Sequence, residues 1–191
     1  MKSAELPVMP FTTAKAFGVW LQKNHDTSPG IWLQFFKKGS EVKTVTYAEA
    51  LDSALCYGWI DSQTKSLDDK SYLHRFGPRK PKSIWSKVNR LHVARLIKDS
   101  RMTPAGLAQV ESAKEDGRWS QAYDSPKNMT VPDDLLKALA THKKSELFFK
   151  SLNKANVYAI CWRLQTAKKP ETRQKRMDLI LTMLKKRQKF H

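Results

Sequence analysis

Glycine, cysteine and acidic side chains are all scarce in this 191-residue chain, and each shortage closes off a class of function. Its seven glycines form neither a dinucleotide-binding fingerprint nor a P-loop, so the usual backbone cradles for nucleotide phosphates are missing. The two cysteines, Cys56 and Cys161, make no metal-binding or redox spacing. Each falls on an apolar helical pattern, so buried, reduced and separate thiols are expected, and with them a cytoplasmic location. The histidines (His25, His74, His92, His142 and His191) are scattered, with no paired-histidine zinc motif and no G-x-S-x-G elbow in the chain. The sequence therefore nominates no metal ligand, cofactor or catalytic residue, and only His74, beside a basic run, has any claim as a base. Lys2 and Glu5 bracket short apolar pieces broken by Pro7 and Pro10, unlike an export signal. No stretch approaches the roughly 18 continuous apolar residues of a membrane span.

Basic residues are plentiful. Lys and Arg number 35 against 18 Asp and Glu, a formal net charge of +17. Residues 1–70 carry 8 basic against 8 acidic residues, residues 71–101 carry 9 against 1, residues 102–134 carry 3 against 6, and residues 135–191 carry 15 against 3. A balanced N-terminal part thus meets a sharply basic segment and a basic tail. Such a field favours nucleic acid, an anionic membrane surface or an acidic protein as partner.

Periodicity predicts a helix over residues 13–24, with Phe17, Trp20 and Leu21 on one face and Thr12 or Thr13 as cap. Residues 31–37 read as a strand, with residues 42–45 as its hairpin partner. Thr46 and Glu49 form a capping box for a second helix that Gly58 stops. Residues 59–65 and 72–76 read as two further strands joined through the turn-forming Leu67-Asp68-Asp69-Lys70. Ser83 is placed to cap a helix running to about Lys98, and Thr103-Pro104 to start one that Gly117 closes. Residues 118–132, with Pro126 and Pro132, read as a linker between an α+β domain over residues 1–117 and a helical basic region over residues 133–191. In that region Val157, Ile160, Cys161 and Leu164 form one apolar stripe, and Met177, Ile180, Leu181 and Leu184 another. The expected class is α+β: a small antiparallel sheet packed with helices, followed by a helical basic C-terminal part.

The segment from Arg75 to Arg90 is the densest candidate for a site. If the strands around Trp59 and Phe76 are antiparallel neighbours, Asp61 comes near Arg75 or Arg79, as a ligand-orienting carboxylate or a plain ion pair. Arg79, Lys80 and Lys82 precede the expected helix start at Ser83, where free amides and the helix dipole would favour an anion. Trp85 and Asn89, four apart, would share a helical face and offer a stacking ring and an amide, unless Trp85 is core. In the tail, Lys168, Lys169, Arg173, Lys175 and Arg176 precede a helix that ends in Lys185-Lys186-Arg187-Gln188-Lys189. That is either a solvated face or a phosphate-tracking stripe.

Gly58-Trp59-Ile60-Asp61, Pro78-Arg79-Lys80 with Ser83, Trp85-Ser86 and Asn89, Met102-Thr103-Pro104-Ala105-Gly106, Gly117-Arg118-Trp119, and Pro170-Glu171-Thr172-Arg173 with Arg176 resemble the YdeI/OmpD-associated, or bacteriocin-protection, family of bacterial proteins. The resemblance implies a link to bacteriocin tolerance or to an outer-membrane porin, and carries over no enzymatic activity, cofactor or catalytic residue. The leading expectation is a non-catalytic cytoplasmic protein that binds nucleic acid or another polyanion. The alternatives are a pocket for a small anionic ligand, with or without catalysis, at Asp61, Arg79, Ser83, Trp85 and Asn89, and an adaptor for an acidic protein or membrane surface.

Overall fold

A computed structural model of the chain describes residues 5–190, so His191 and Lys2 lie outside the described residues. Packing divides the chain into two compact units. The first comprises the chain through Trp85 with Asn89–Gln121, and the second comprises Ser86–Val88 with the residues from Ala122 onward.

The first unit is α+β, as its pattern predicts. Strands β1 (Val8–Pro10), β2 (Ile31–Phe36), β3 (Trp59–Ser66) and β4 (Ser71–Pro78) form one sheet in the order β1-β2-β4-β3. The β2–β4 and β3–β4 pairs are antiparallel, whereas β1 lies parallel to β2 and makes the sheet mixed. That arrangement overturns the expected hairpin of residues 42–45 with β2. Both edges of β2 are already taken, by β1 and β4, so residues 42–45 run outside the sheet, with the Val45 amide donating to the Phe11 carbonyl and the side chain buried in the core.

Helix α1 (Ala14–Asn24) starts at Thr13, whose hydroxyl accepts from the Ala16 amide. Helix α2 (Tyr47–Cys56) carries the full capping box of Thr46 and Glu49. Phe17, Leu21, Ala50 and Ala54 from these helices meet Ile31, Leu33, Phe35, Trp59 and Phe76 from one sheet face to form the core. Gly58 (φ +73°) turns the chain from α2 into β3. A Cβ there would lie 3.0 Å from the Ala105 carbonyl oxygen, so both the backbone angle and the close approach of α4 (Pro104–Glu115) require glycine.

Helix α3 (Lys87–Lys98) begins at Lys87, not at Ser83 as its sequence position suggests. Ser83 is engaged sideways: its hydroxyl accepts from Arg79 and its carbonyl from Arg118, so it caps no helix.

The second unit holds helices α5 (Asp133–Ala140), α6 (Lys143–Lys150), α7 (Lys154–Gln165) and α8 (Pro170–Lys185). Leu135, Leu139, Phe149, Ile160, Leu164, Met177, Ile180 and Leu184 form its core, with Val157 and Leu181 packed against it. The two apolar stripes read from the sequence meet here. Among the described residues, no helix is long and apolar enough to cross a membrane. Cys56 and Cys161 are buried and unpaired; burial pushes the Cys161 thiol up to about 11.

Candidate functional site

The segment after β4 folds inward. The Arg79 amide donates to the Gly58 carbonyl, which fixes the chain just beyond the last β3–β4 pair. From there the guanidinium lies flat over Trp85, 3.6 Å from the ring centroid, and its Nη1 donates to the Ser83 hydroxyl and the Ile84 carbonyl. Arg79 is 6% exposed and Trp85 2%. Trp119 meets Trp85 edge-on at 4.9 Å, and Arg90 covers Trp119 at 5.2 Å. Arg118, 4% exposed, bonds to Asp116, to the Ser83 carbonyl and to the Ser112 hydroxyl. The result is a layered arginine–tryptophan interior in which two guanidiniums are held by internal acceptors and ring faces. Of the cations expected to converge on Ser83, only Lys80 and Lys82 are exposed. Trp85 precedes α3, so it shares no helical face with Asn89, which is half-buried in the first turn.

Asp61 is placed by register. It sits opposite Phe76, and because successive strand residues alternate faces, Arg75, which pairs with Trp32, points to the other side of the sheet. The Asp61 carboxylate instead accepts from the Tyr47 hydroxyl at 3.0 Å. The Tyr47 ring is 4.9 Å from His74, whose ring nitrogens lie within hydrogen-bonding reach of the Thr64 hydroxyl. Burial lowers the His74 pKa, and the nearby Asp61 charge opposes this in part. Phe35, Tyr47 and Tyr72, together with the loop that carries Lys37, Lys38 and Lys43, line a cleft of about 420 Å³.

A third cluster was not foreseen from the sequence. Asp52, on the buried side of α2, binds the His92 ring at 2.8 Å and accepts two bonds from Arg95 at 2.6 and 2.7 Å, with Arg101 at 3.8 Å. Burial would raise the Asp52 carboxyl, but the bonds from Arg95 and His92 outweigh it and leave the pKa below its ordinary value. The only signal in the sequence is His92 and Arg95 three apart on one helix, with no indication of a carboxylate 40 residues earlier in the chain. Both oxygens of that carboxylate are occupied, so the cluster fastens α2 to α3. Among the described residues, no group of three or more His, Cys, Asp or Glu is placed to hold a metal.

In the second unit, Arg173 and Arg176 face inward as well. Arg173 makes a forked pair with Asp134 and donates to the Leu164 carbonyl at 2.7 Å. Arg176 donates to the Arg163 carbonyl at 2.6 Å and to the Thr166 hydroxyl at 3.1 Å. Both cap the last turn of α7, where unsatisfied carbonyls and the dipole favour cations. The lysines behave differently. Lys168, Lys169, Lys175, Lys185, Lys186 and Lys189 are exposed and form no ion pair with any described residue.

Residues 9–109 match the profile of a domain of unknown function, DUF8412, and residues 128–187 match the family described as bacteriocin-protection, YdeI or OmpD-associated. Searches among curated proteins and among solved structures return no match. The motifs from Gly58 to Asp61 and from Pro78 to Asn89 fall within the first matched region, and Pro170 to Arg176 within the second. Since the first match spans more than half of the chain, the protein belongs to the DUF8412 family and carries a YdeI/OmpD-associated domain as its C-terminal part.

Proposed function

We propose that the protein is a non-catalytic binder of nucleic acid that grips the phosphate backbone through its C-terminal unit. The observation that carries this reading is the unneutralised surface charge of that unit. Every lysine from Lys137 to Lys189 is exposed, and of the cations in residues 135–191 only Lys150, with Glu146, and Arg173, with Asp134, form ion pairs among the described residues. A field of exposed ammonium groups attracts a polyanion and releases its counterions on binding. A small-ligand pocket at Asp61, Arg79, Ser83, Trp85 and Asn89 has less support, because Arg79 and Trp85 stack on each other in the interior. The reading carries a cytoplasmic location with it. A part in bacteriocin tolerance, taken from the matched family's description, is tested by survival of a host with and without the protein under bacteriocin.

The binding test is fluorescence anisotropy of a labelled DNA duplex titrated with protein at several salt concentrations. Affinity should fall linearly on a log–log plot, with a slope of about −0.9 per phosphate neutralised. Replacing Lys185, Lys186 and Arg187 by Gln should weaken binding at low salt and flatten that slope. No binding at low salt, or an unchanged slope in the triple variant, would refute the reading.

A further inference from the structure

The start of α6 carries two adjacent lysines and no side-chain cap. Lys143 and Lys144 open the first turn beside the positive end of the dipole, with Glu146 as its acidic residue, and His142 at the cap position makes no side-chain capping bond. The Lys143 and Lys144 amides take no hydrogen-bond acceptor among the described residues, whereas the Ser145 amide closes on the His142 carbonyl at 2.8 Å. These features alone describe an unfavourable helix end.

Ser145 supplies the independent observation. It is 2% exposed, yet its hydroxyl makes no hydrogen bond with any described residue. A serine inside a helix ordinarily satisfies itself on the carbonyl four residues back. Here that residue is Thr141, whose carbonyl already accepts from the His142 ring at 2.6 Å. The serine lines a cleft of about 410 Å³ together with His142, Lys143, Lys144 and Lys185. The hydroxyl is unbonded without being sealed off from solvent, so it is free to donate to a ligand in the cleft.

We infer that this cleft is a phosphate-binding site, in which the Ser145 hydroxyl, the Lys143 and Lys144 amides and the Lys185 ammonium hold one phosphoryl group at the start of α6. The residues lining it present donors and cations and no carboxylate, which favours an oxyanion with several acceptor atoms. Glu146, the acidic residue of the first turn, is turned toward Lys150 by an ion pair. The phosphate could belong to a nucleic-acid backbone or to a free phosphate compound; assignment to the backbone rests on the function proposed above.

The test uses the full chain. Amide nitrogen–proton spectra are recorded during titration with inorganic phosphate, with chloride holding the ionic strength constant. The Lys143, Lys144 and Ser145 amides should shift saturably. Ser145→Ala and Lys185→Gln should each weaken phosphate roughly tenfold, as loss of one charge-assisted bond implies, and Lys175→Gln, an exposed lysine about 15 Å along α8 from Lys185, should not. Ser145→Ala should also leave the melting temperature unchanged, because it removes no internal hydrogen bond; a clear drop would mean that the hydroxyl is bonded internally and would overturn the site. Absence of a saturable shift at these amides would overturn it equally. A short oligonucleotide then separates the sources. Competition with phosphate assigns the site to the nucleic-acid surface. Phosphate binding without any oligonucleotide binding removes the nucleic-acid reading and keeps the site. Oligonucleotide binding that ignores both variants keeps the nucleic-acid reading and removes the site.

Discussion

Replacing Arg79 by alanine should destabilise the first unit by an amount that the geometry allows to be worked out. The guanidinium is stacked at 3.6 Å over a buried indole, a desolvated cation–π contact of about 2 kcal/mol. Its two bonds to the Ser83 hydroxyl and the Ile84 carbonyl are long, at 3.2 and 3.3 Å, and add about 1 kcal/mol each. Loss of the stem leaves a void under Trp85, so a total of about 4 kcal/mol is expected, within the range of large core truncations. That is a large share of a typical unfolding free energy of about 5 to 15 kcal/mol. Urea unfolding followed by tryptophan fluorescence measures it, with Lys80→Ala as the control. Lys80 is exposed and should cost less than about 0.5 kcal/mol. A double-mutant cycle with Trp85→Phe isolates the stack and should return a coupling of about 1 to 2 kcal/mol. If Arg79→Ala proved as stable as the parent, or the coupling were zero, the buried stack would be refuted and Arg79 would return to the surface as a ligand-binding residue.

Because the fold lowers the Asp52 pKa, the ionised form is favoured in the native state. The stability this provides is present above the ordinary carboxylate range and is lost as pH falls through the lower, folded value. Asp52→Asn should therefore cost about 1 to 3 kcal/mol at neutral pH and flatten the acid limb of a melting-temperature profile. Gly106→Ala should destabilise by about 1 to 3 kcal/mol or more in chemical denaturation, since a Cβ there would sit 2.2 Å from the Cys56 carbonyl oxygen and 2.8 Å from that of Leu55. Arg173→Ala should cost about 1 to 2 kcal/mol by uncapping α7, moderated because Asp134 is half exposed, while leaving the salt slope of nucleic-acid binding unchanged within one phosphate contact.

The helix caps were legible in the sequence because capping is local: Thr13, the Thr46–Glu49 box and Thr103-Pro104 all act within a few residues of where they stand. The stripes of α7 and α8 were legible for the same reason. What the sequence misread depended on partners far along the chain. The parallel pairing of β1 with β2 decided that residues 42–45 could not be a strand, and nothing in Val42–Val45 itself carries that information. Asp61 was correctly placed on a strand antiparallel to the one holding Arg75, but the register, one residue away from the pairing needed, sent Arg75 to the other face. The helix expected at Ser83 failed because Arg79 and Arg118, the latter 35 residues later, had claimed its hydroxyl and carbonyl. A sequence shows where a charge is, and not which acceptor it will find.

That distinction bears on what kind of binding the surface can support. Arg163, Arg173 and Arg176 in the second unit are turned toward carbonyls, a carboxylate or the Phe190 ring, while every lysine from Lys137 to Lys189 stays outside. Guanidinium is planar, weakly hydrated and rich in directed donors, so it suits interior and capping positions; ammonium is a strongly hydrated point charge that stays in water. Sequence readout of a duplex relies most often on arginine forked onto guanine, whereas phosphate contacts need only a mobile cation. A surface in which three of the four arginines are engaged by the fold, Arg187 being the exposed one, and the lysines remain free suits the proposed grip on a phosphate backbone. Its affinity should therefore depend strongly on salt and little on base sequence. Duplexes of equal length and different composition should compete equally for it, and a strong preference for one sequence would contradict this and point to Arg187, the exposed arginine of the second unit, as a base-reading contact.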